Sequence, residues 1–126
     1  MQRPSFPRMP DLPSSLSSIV RADPRLRAAY AEGAGIYRII PAGVAIPGSL
    51  AELQSLVRLA SAEGVGLIPR GAGSGIPGNT VGEGVIVDLR EAMPRVLAVD
   101  PTHREAVTSA NITQQELNAE AAKHGL

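Results

Sequence analysis

"LIPRGAGSGIPGNTVGEG", Leu67 to Gly84, holds six of the chain's thirteen glycines around a single Arg-Gly step. Glycine loses more conformational freedom on folding than any other residue, so the cluster marks a loop needing unusual backbone angles or a close approach. Four readings compete. Gly73, Gly75 and Gly78 satisfy the dinucleotide fingerprint G-x-G-x-x-G directly after an apolar strand pattern, but that fingerprint requires the loop to open a helix. Here Pro77 falls inside the motif and the chain runs on into "GVIVDL", a strand pattern. Gly73 to Thr80 also fits a Walker A loop, except that Asn79 stands where the lysine belongs. A neutral amide cannot supply that lysine's charge. The third reading is a nest without a helix, in which successive backbone N–H groups converge on an anion such as a diphosphate. Gly71, Gly73 and Gly75 would then give access, Ser74 would add a hydroxyl donor, and the Gly78-Asn79-Thr80 corner would close the far side. Arg70 either ligates the phosphate or turns away to an acidic neighbour. The fourth reading is an Ω-loop whose glycines only permit tight turns.

On the N-terminal side of the loop, Ser49 and Glu52 have the spacing of a capping box. The helix they open reads to about Glu63, with Leu50, Leu53, Leu56, Val57 and Ala60 as one apolar stripe and Gly64 as its left-handed stop. Before it, "YRIIPAGVAIPGS" breaks into short apolar pieces punctuated by proline, which suit extended segments. "SSLSSIVRADPRLRAAYAEG" predicts a short helix, a break at Asp23-Pro24, and a second helix from Pro24 to about Glu32. After the loop, "GVIVDL", "RVLAVDP" and "REAVTSANI" read as three strands, the last two a hairpin turning at Pro101, Thr102 and His103. Thr113 with Glu116 forms a second capping box, opening a helix that fades at His124-Gly125. The order gives one helix crossing between two strands that read as parallel, followed by an antiparallel meander. The expected fold class is α+β, a small mixed sheet with flanking helices.

Composition narrows the function classes. At 126 residues the chain is one small domain. Twelve basic and twelve acidic residues are scattered along it, so no field would gather nucleic acid, and an anion must be held locally. Cysteine is absent, which removes thiolate chemistry and fits a reducing compartment, so a cytoplasmic location is expected. His103 and His124 lie in different segments without ligand-spaced partners, so no metal site is expected. No apolar run reaches the length of a membrane span. Residues 1–13 read as a disordered, proline-rich lead-in. Tyr30 and Tyr37 read as packing residues, and no catalytic residue is assigned.

From Tyr30 to Leu126 an ordered set of features accumulates: the entry "YAEGAGIYRIIPAGVAIP", a capped helix, Pro-Arg-Gly with further glycines, an apolar strand ending in Asp-Leu, a Val-Asp-Pro turn, and a last helix ending in His-Gly-Leu. This set resembles the FAD-binding domain of the vanillyl-alcohol oxidase or p-cresol methylhydroxylase type, in the branch of D-lactate dehydrogenases and glycolate oxidase subunits. The resemblance implies that Pro69, Arg70, Gly71, Ala72, Gly73, Ser74 and Gly75 wrap the flavin pyrophosphate and that Gly78, Asn79 and Thr80 continue the contact. It also implies a flavin-dependent oxidoreductase acting on a small 2-hydroxy acid such as D-lactate or glycolate, with the electron acceptor open. A truncated, non-catalytic interaction module that retains the scaffold is the alternative. Relatives that tether FAD through a histidine place it where this chain has Ser74, so non-covalent FAD is expected. Asn111 replaces a glycine usual in the family, and asparagine tolerates the left-handed conformation. The resemblance implies that the family's second flavin-contacting region and its cap domain would lie beyond Leu126. Residues 14–126 therefore look like the N-terminal part of the domain.

Overall fold

The computed structural model describes residues 13–90 and 93–126. The predicted lead-in lies, except for Pro13, outside the described residues. A 3-10 turn at Ser14–Leu16 leads to β1 (Val20–Arg21), α1 (Pro24–Ala29), β2 (Gly43–Ala45), α2 (Leu50–Glu63), β3 (Leu67–Arg70), β4 (Val85–Asp88), β5 (Leu97–Asp100), β6 (Glu105–Thr108) and α3 (Gln114–Ala122). This is an α+β chain, as expected. Its sheet order is not the expected one.

Four strands form a mixed sheet in the order β1-β2-β4-β3, while β5 and β6 pair as a separate antiparallel hairpin. β4 is thus no part of a meander. It inserts between β2 and β3, parallel to both, with Val85 opposite Gly43 on one side and Leu67 on the other. The physical reason is in its composition. All four residues of "VIVD" are buried, and an apolar run without alternation suits a central parallel strand covered on both faces. β1, expected as the end of a helix, pairs antiparallel with β2 through Val20 and Arg21.

α2 covers one face of this sheet. Ser49 Oγ accepts from the Glu52 N–H at 3.2 Å, and the Glu52 carboxylate reaches back one residue further than a simple capping box, to the Gly48 N–H at 2.6 Å. Gly64 ends the helix with φ of 66°. Leu56, fully buried, joins Leu16, Val20, Ala45, Val85 and Val87 in the core, with Leu53 and Leu59 packed against it. Each fully buried leucine or valine among them contributes roughly 1.5 to 3 kcal/mol. The buried face is rotated toward Leu59, which leaves Leu50 and Val57 of the predicted stripe half-exposed. By strand alternation Ile86 and Asp88 point to the opposite face.

On that face α1 is shorter than expected. Asp23 caps it by accepting from the Arg25 and Leu26 N–H groups, and the helix ends at Ala29 instead of Glu32. Ala31 is fully buried, and Glu32 pairs instead with Arg38 across an antiparallel bridge. Leaving the helix at Tyr30 lets the next residues fold back, with the Ile39 N–H donating to the Ala31 carbonyl at 2.9 Å. The returning segment lies against the glycine loop. α3 matches expectation closely: Thr113 and Glu116 form the reciprocal box.

Candidate cofactor site

The glycine loop connects β3 to β4, so no helix follows it and both helix-dependent readings fail on structure. Two of its glycines hold backbone angles that side chains resist: φ is 72° at Gly73 and 84° at Gly78. A Cβ on Gly73 would lie 2.7 Å from Arg70 Nη2, and one on Gly78 would lie 2.6 Å from the Tyr37 ring. The loop is anchored on the returning segment, since the Gly73 carbonyl accepts from the Ala34 N–H at 3.0 Å. None of the backbone N–H groups of Ala72, Gly73, Ser74 and Gly75 donates to an acceptor among the described residues. An anion nest is built from successive backbone N–H groups in turn conformations, and these four are left free to take an outside acceptor. Thr80 Oγ1 is likewise buried without a hydrogen-bond partner among the described residues. That hydroxyl faces Gly33 of the returning segment, where a Cβ would lie 2.8 Å away.

Arg70 turns inward. Its guanidinium donates to the Tyr30 and Thr80 carbonyls at 3.3 Å each and stacks 5.2 Å from the Tyr30 ring centroid. The acidic neighbour that the sequence offered as an alternative partner is not used. Of the other expected residues, Ala72 and Ser74 line an open cleft of about 790 Å³. Arg90, Arg95, Asn111 and Thr113 line the same cleft. Asn111 is nearly buried and donates to the Met93 carbonyl at 2.9 Å while accepting from the Ser109 hydroxyl at 2.6 Å. Arg95 is tied to the Asn111 carbonyl at 3.1 Å and to the Glu116 carboxylate. Asn79 sits close against Gly75, and Gly71 approaches the Ala110 carbonyl.

Next to the loop lies a cluster that sequence reasoning missed. Asp88, at the end of β4 and 1% exposed, accepts from the Tyr30 hydroxyl at 2.5 Å, from Arg90 Nη2 at 2.7 Å, and from the Arg90 backbone N–H at 2.9 Å. Burial pushes the Asp88 carboxyl up, but the hydrogen bonds from Arg90 and Tyr30 outweigh it and hold the group below the usual carboxylate range. Burial, followed by the Asp88 carboxylate, pushes the Tyr30 hydroxyl up. Asp88 holds Arg90 firmly in its charged form. The signal was present in "VIVD", because an acid inside an apolar run is rarely buried unless paired.

The FAD binding domain family matches residues 41–126 of this chain. The chain belongs to that family. Its cofactor is FAD, and acceptor-free N–H donors beside positive-φ glycines are chemically suited to an anionic group such as a diphosphate. The chain is similar to D-2-hydroxyglutarate dehydrogenase of Pantoea ananatis (strain AJ13355), with 32% identity over 87 residues, which is 67% of this chain and 8% of that protein. It is likewise similar to D-2-hydroxyglutarate dehydrogenase of Escherichia coli (strain K12), with 31% identity over 86 residues, 66% of this chain and 8% of that protein. The chain thus spans less than a tenth of the length of these relatives. Among solved structures, an alkyldihydroxyacetonephosphate synthase superposes with a TM-score of 0.60 and 28% identity, covering 87% of this chain and 23% of that one. A Physcomitrella patens BBE-like 1 variant superposes with a TM-score of 0.62 over 86% of this chain and 25% of that one, and at 22% identity it shares the fold. The two dehydrogenases are named for a different 2-hydroxy acid from the D-lactate or glycolate expected from sequence. Among the described residues no helix is long and apolar enough to cross a membrane.

Proposed function

We propose that this chain forms the diphosphate-holding part of a flavin-dependent dehydrogenase that oxidises a 2-hydroxy acid. The observation that carries the reading is that no backbone N–H from Ala72 to Gly75 donates to an acceptor among the described residues, while Ala72 and Ser74 line the cleft. Each charge-assisted bond from such a donor to phosphate contributes roughly 1.5 to 3 kcal/mol. Gly71 and Gly75 keep side chains out of the approach, Ser74 adds a hydroxyl, and Thr80 closes the loop's inner side against Gly33 and Arg70. Pro69 and Arg70 hold the loop on β3, while Gly78 and Asn79 turn it back toward β4. The chemistry FAD supplies when bound is the acceptance of two electrons from the substrate's carbinol C–H bond. This chain's own part is binding and orientation. The D-2-hydroxyglutarate dehydrogenases among the relatives support a 2-hydroxy acid as substrate. Ser74 has no imidazole with which to tether a flavin, so the cofactor is held non-covalently.

The test uses the full-length protein that carries this chain. It should purify yellow, release its colour into the supernatant on acid precipitation, and reduce an artificial acceptor with D-2-hydroxyglutarate, D-lactate or glycolate. Gly73→Val should abolish flavin loading while the protein stays folded, because the larger residue forbids φ of 72° and collides with Arg70. A Gly73→Val protein with full flavin occupancy would rule out the nest.

A further inference from the structure

Two arginines come close to the glycine loop, and their guanidinium groups are placed differently. Arg70, inside the glycine motif, lies beneath the loop, bonded to the Tyr30 and Thr80 carbonyls and stacked on the Tyr30 ring. It occupies the space a Gly73 side chain would need, on the loop's inner side. Arg90, outside the motif, lines the same cleft as Ala72 and Ser74. Its Nε and Nη2 are committed to Asp88 at 2.7 to 3.2 Å, and its backbone N–H donates to the same carboxylate. Asp88 is in turn fixed by the Tyr30 hydroxyl. Nη1 of Arg90 makes no hydrogen bond among the described residues, and the side chain is 48% exposed.

A guanidinium is a planar fork of five donors, so gripping one edge with a buried carboxylate aims the remaining donors and removes most of the entropy cost of ordering them. On the reading that this cleft receives FAD, we propose that Arg90, which lines the cleft together with Ala72 and Ser74, contacts the cofactor's diphosphate, with Asp88 and Tyr30 as positioning residues. Arg70 then shapes the loop without touching the anion. The motif's arginine and the anion's arginine are different residues.

The experiment measures FAD and riboflavin affinities of the full-length apoprotein by fluorescence quenching, at low and high salt. Riboflavin lacks the diphosphate. Arg90→Gln should weaken FAD binding at least tenfold, about 1.4 kcal/mol, leave riboflavin binding unchanged, and reduce the salt dependence of FAD binding. Because Arg90→Gln leaves Asp88 without its cation, the Asp88→Asn/Arg90→Gln variant removes both charges and is measured in parallel, with thermal melting as the check on folding. An FAD affinity within twofold of wild type in either folded variant overturns the proposal. Equal losses for FAD and riboflavin also overturn it, since Arg90 would then act only through the fold. A wild-type apoprotein that binds neither flavin overturns the FAD reading of the cleft itself, and this result is distinguishable because it appears before any substitution is made.

Discussion

β4 and β6 are each four residues long and both draw on β-branched residues, yet one is wholly buried and the other wholly exposed. β4 sits between two parallel neighbours with its sides facing α2 and the α1 segment. β6 pairs only with β5, and Val107 is 67% exposed. A two-stranded ribbon is marginal by itself, so the hairpin takes its order from the Ser109, Asn111 and Arg95 bonds that tie its base toward α3. The difference teaches where stability and function reside. The sheet half supplies the packed core, and the cleft lies where that half meets the base of the hairpin half. Ligand sites at such junctions can be shaped by one layer and closed by another.

The largest expected contrast lies in the strands themselves. Ile86→Ala should destabilise the protein by about 2 to 5 kcal/mol, since Ile86 is fully buried in the central strand β4. Val107→Ala should stay within about 0.5 kcal/mol of wild type. Chemical denaturation of both variants checks this, and equal losses would show that β6 packs as tightly as β4.

An intermediate effect is expected at Asp88. Its carboxyl is depressed in the folded protein, so between the folded and unfolded values the unfolded chain binds more protons and stability rises with pH. The contribution is present in full above the unfolded value near 3.8 and is lost as the pH falls through the lower folded value. Asp88→Asn should cost about 1 to 3 kcal/mol at neutral pH, with the gap to wild type closing on acidification. Denaturant midpoints across acidic pH check the sign, and a gap that widened in acid would reverse the assignment.

The smallest effects are expected at the helix caps. Ser49→Ala should cost about 1 kcal/mol, yet α2 should persist because Leu56 and Ala60 pin it to the sheet. Thr113→Ala should fray the first turn of α3, which has no buried residue. Amide exchange in the two first turns separates the cases, and similar protection in both variants would erase the distinction.

The local devices were legible in the sequence. Ser49 with Glu52, Gly64, Thr113 with Glu116, and the turn at Pro101 all sit where spacing put them, because caps and turns are satisfied by residues a few positions apart. The place of β4 was not legible. Its register against Gly43 and Leu67 depends on partners 18 or more residues away, and a four-residue apolar run fits a meander or a central parallel strand equally well until burial is known. The end of α1 at Ala29 was not legible for a similar reason, since the Tyr30–Asp88 bond just beyond it joins residues 58 apart. In the candidate site the glycines announced the loop. The direction of Arg70 and the role of Arg90 depended on where Tyr30 and Asp88 fell.

The nest is tested most directly by amide proton–nitrogen correlation spectra of the full-length apoprotein titrated with ADP, which carries the diphosphate without the flavin ring. The account predicts that the amides of Ala72, Gly73, Ser74 and Gly75 move downfield together as they gain an acceptor, while those of Ala106 and Val107 on the exposed hairpin stay in place. Loop amides that remain still while ADP binds elsewhere would contradict it.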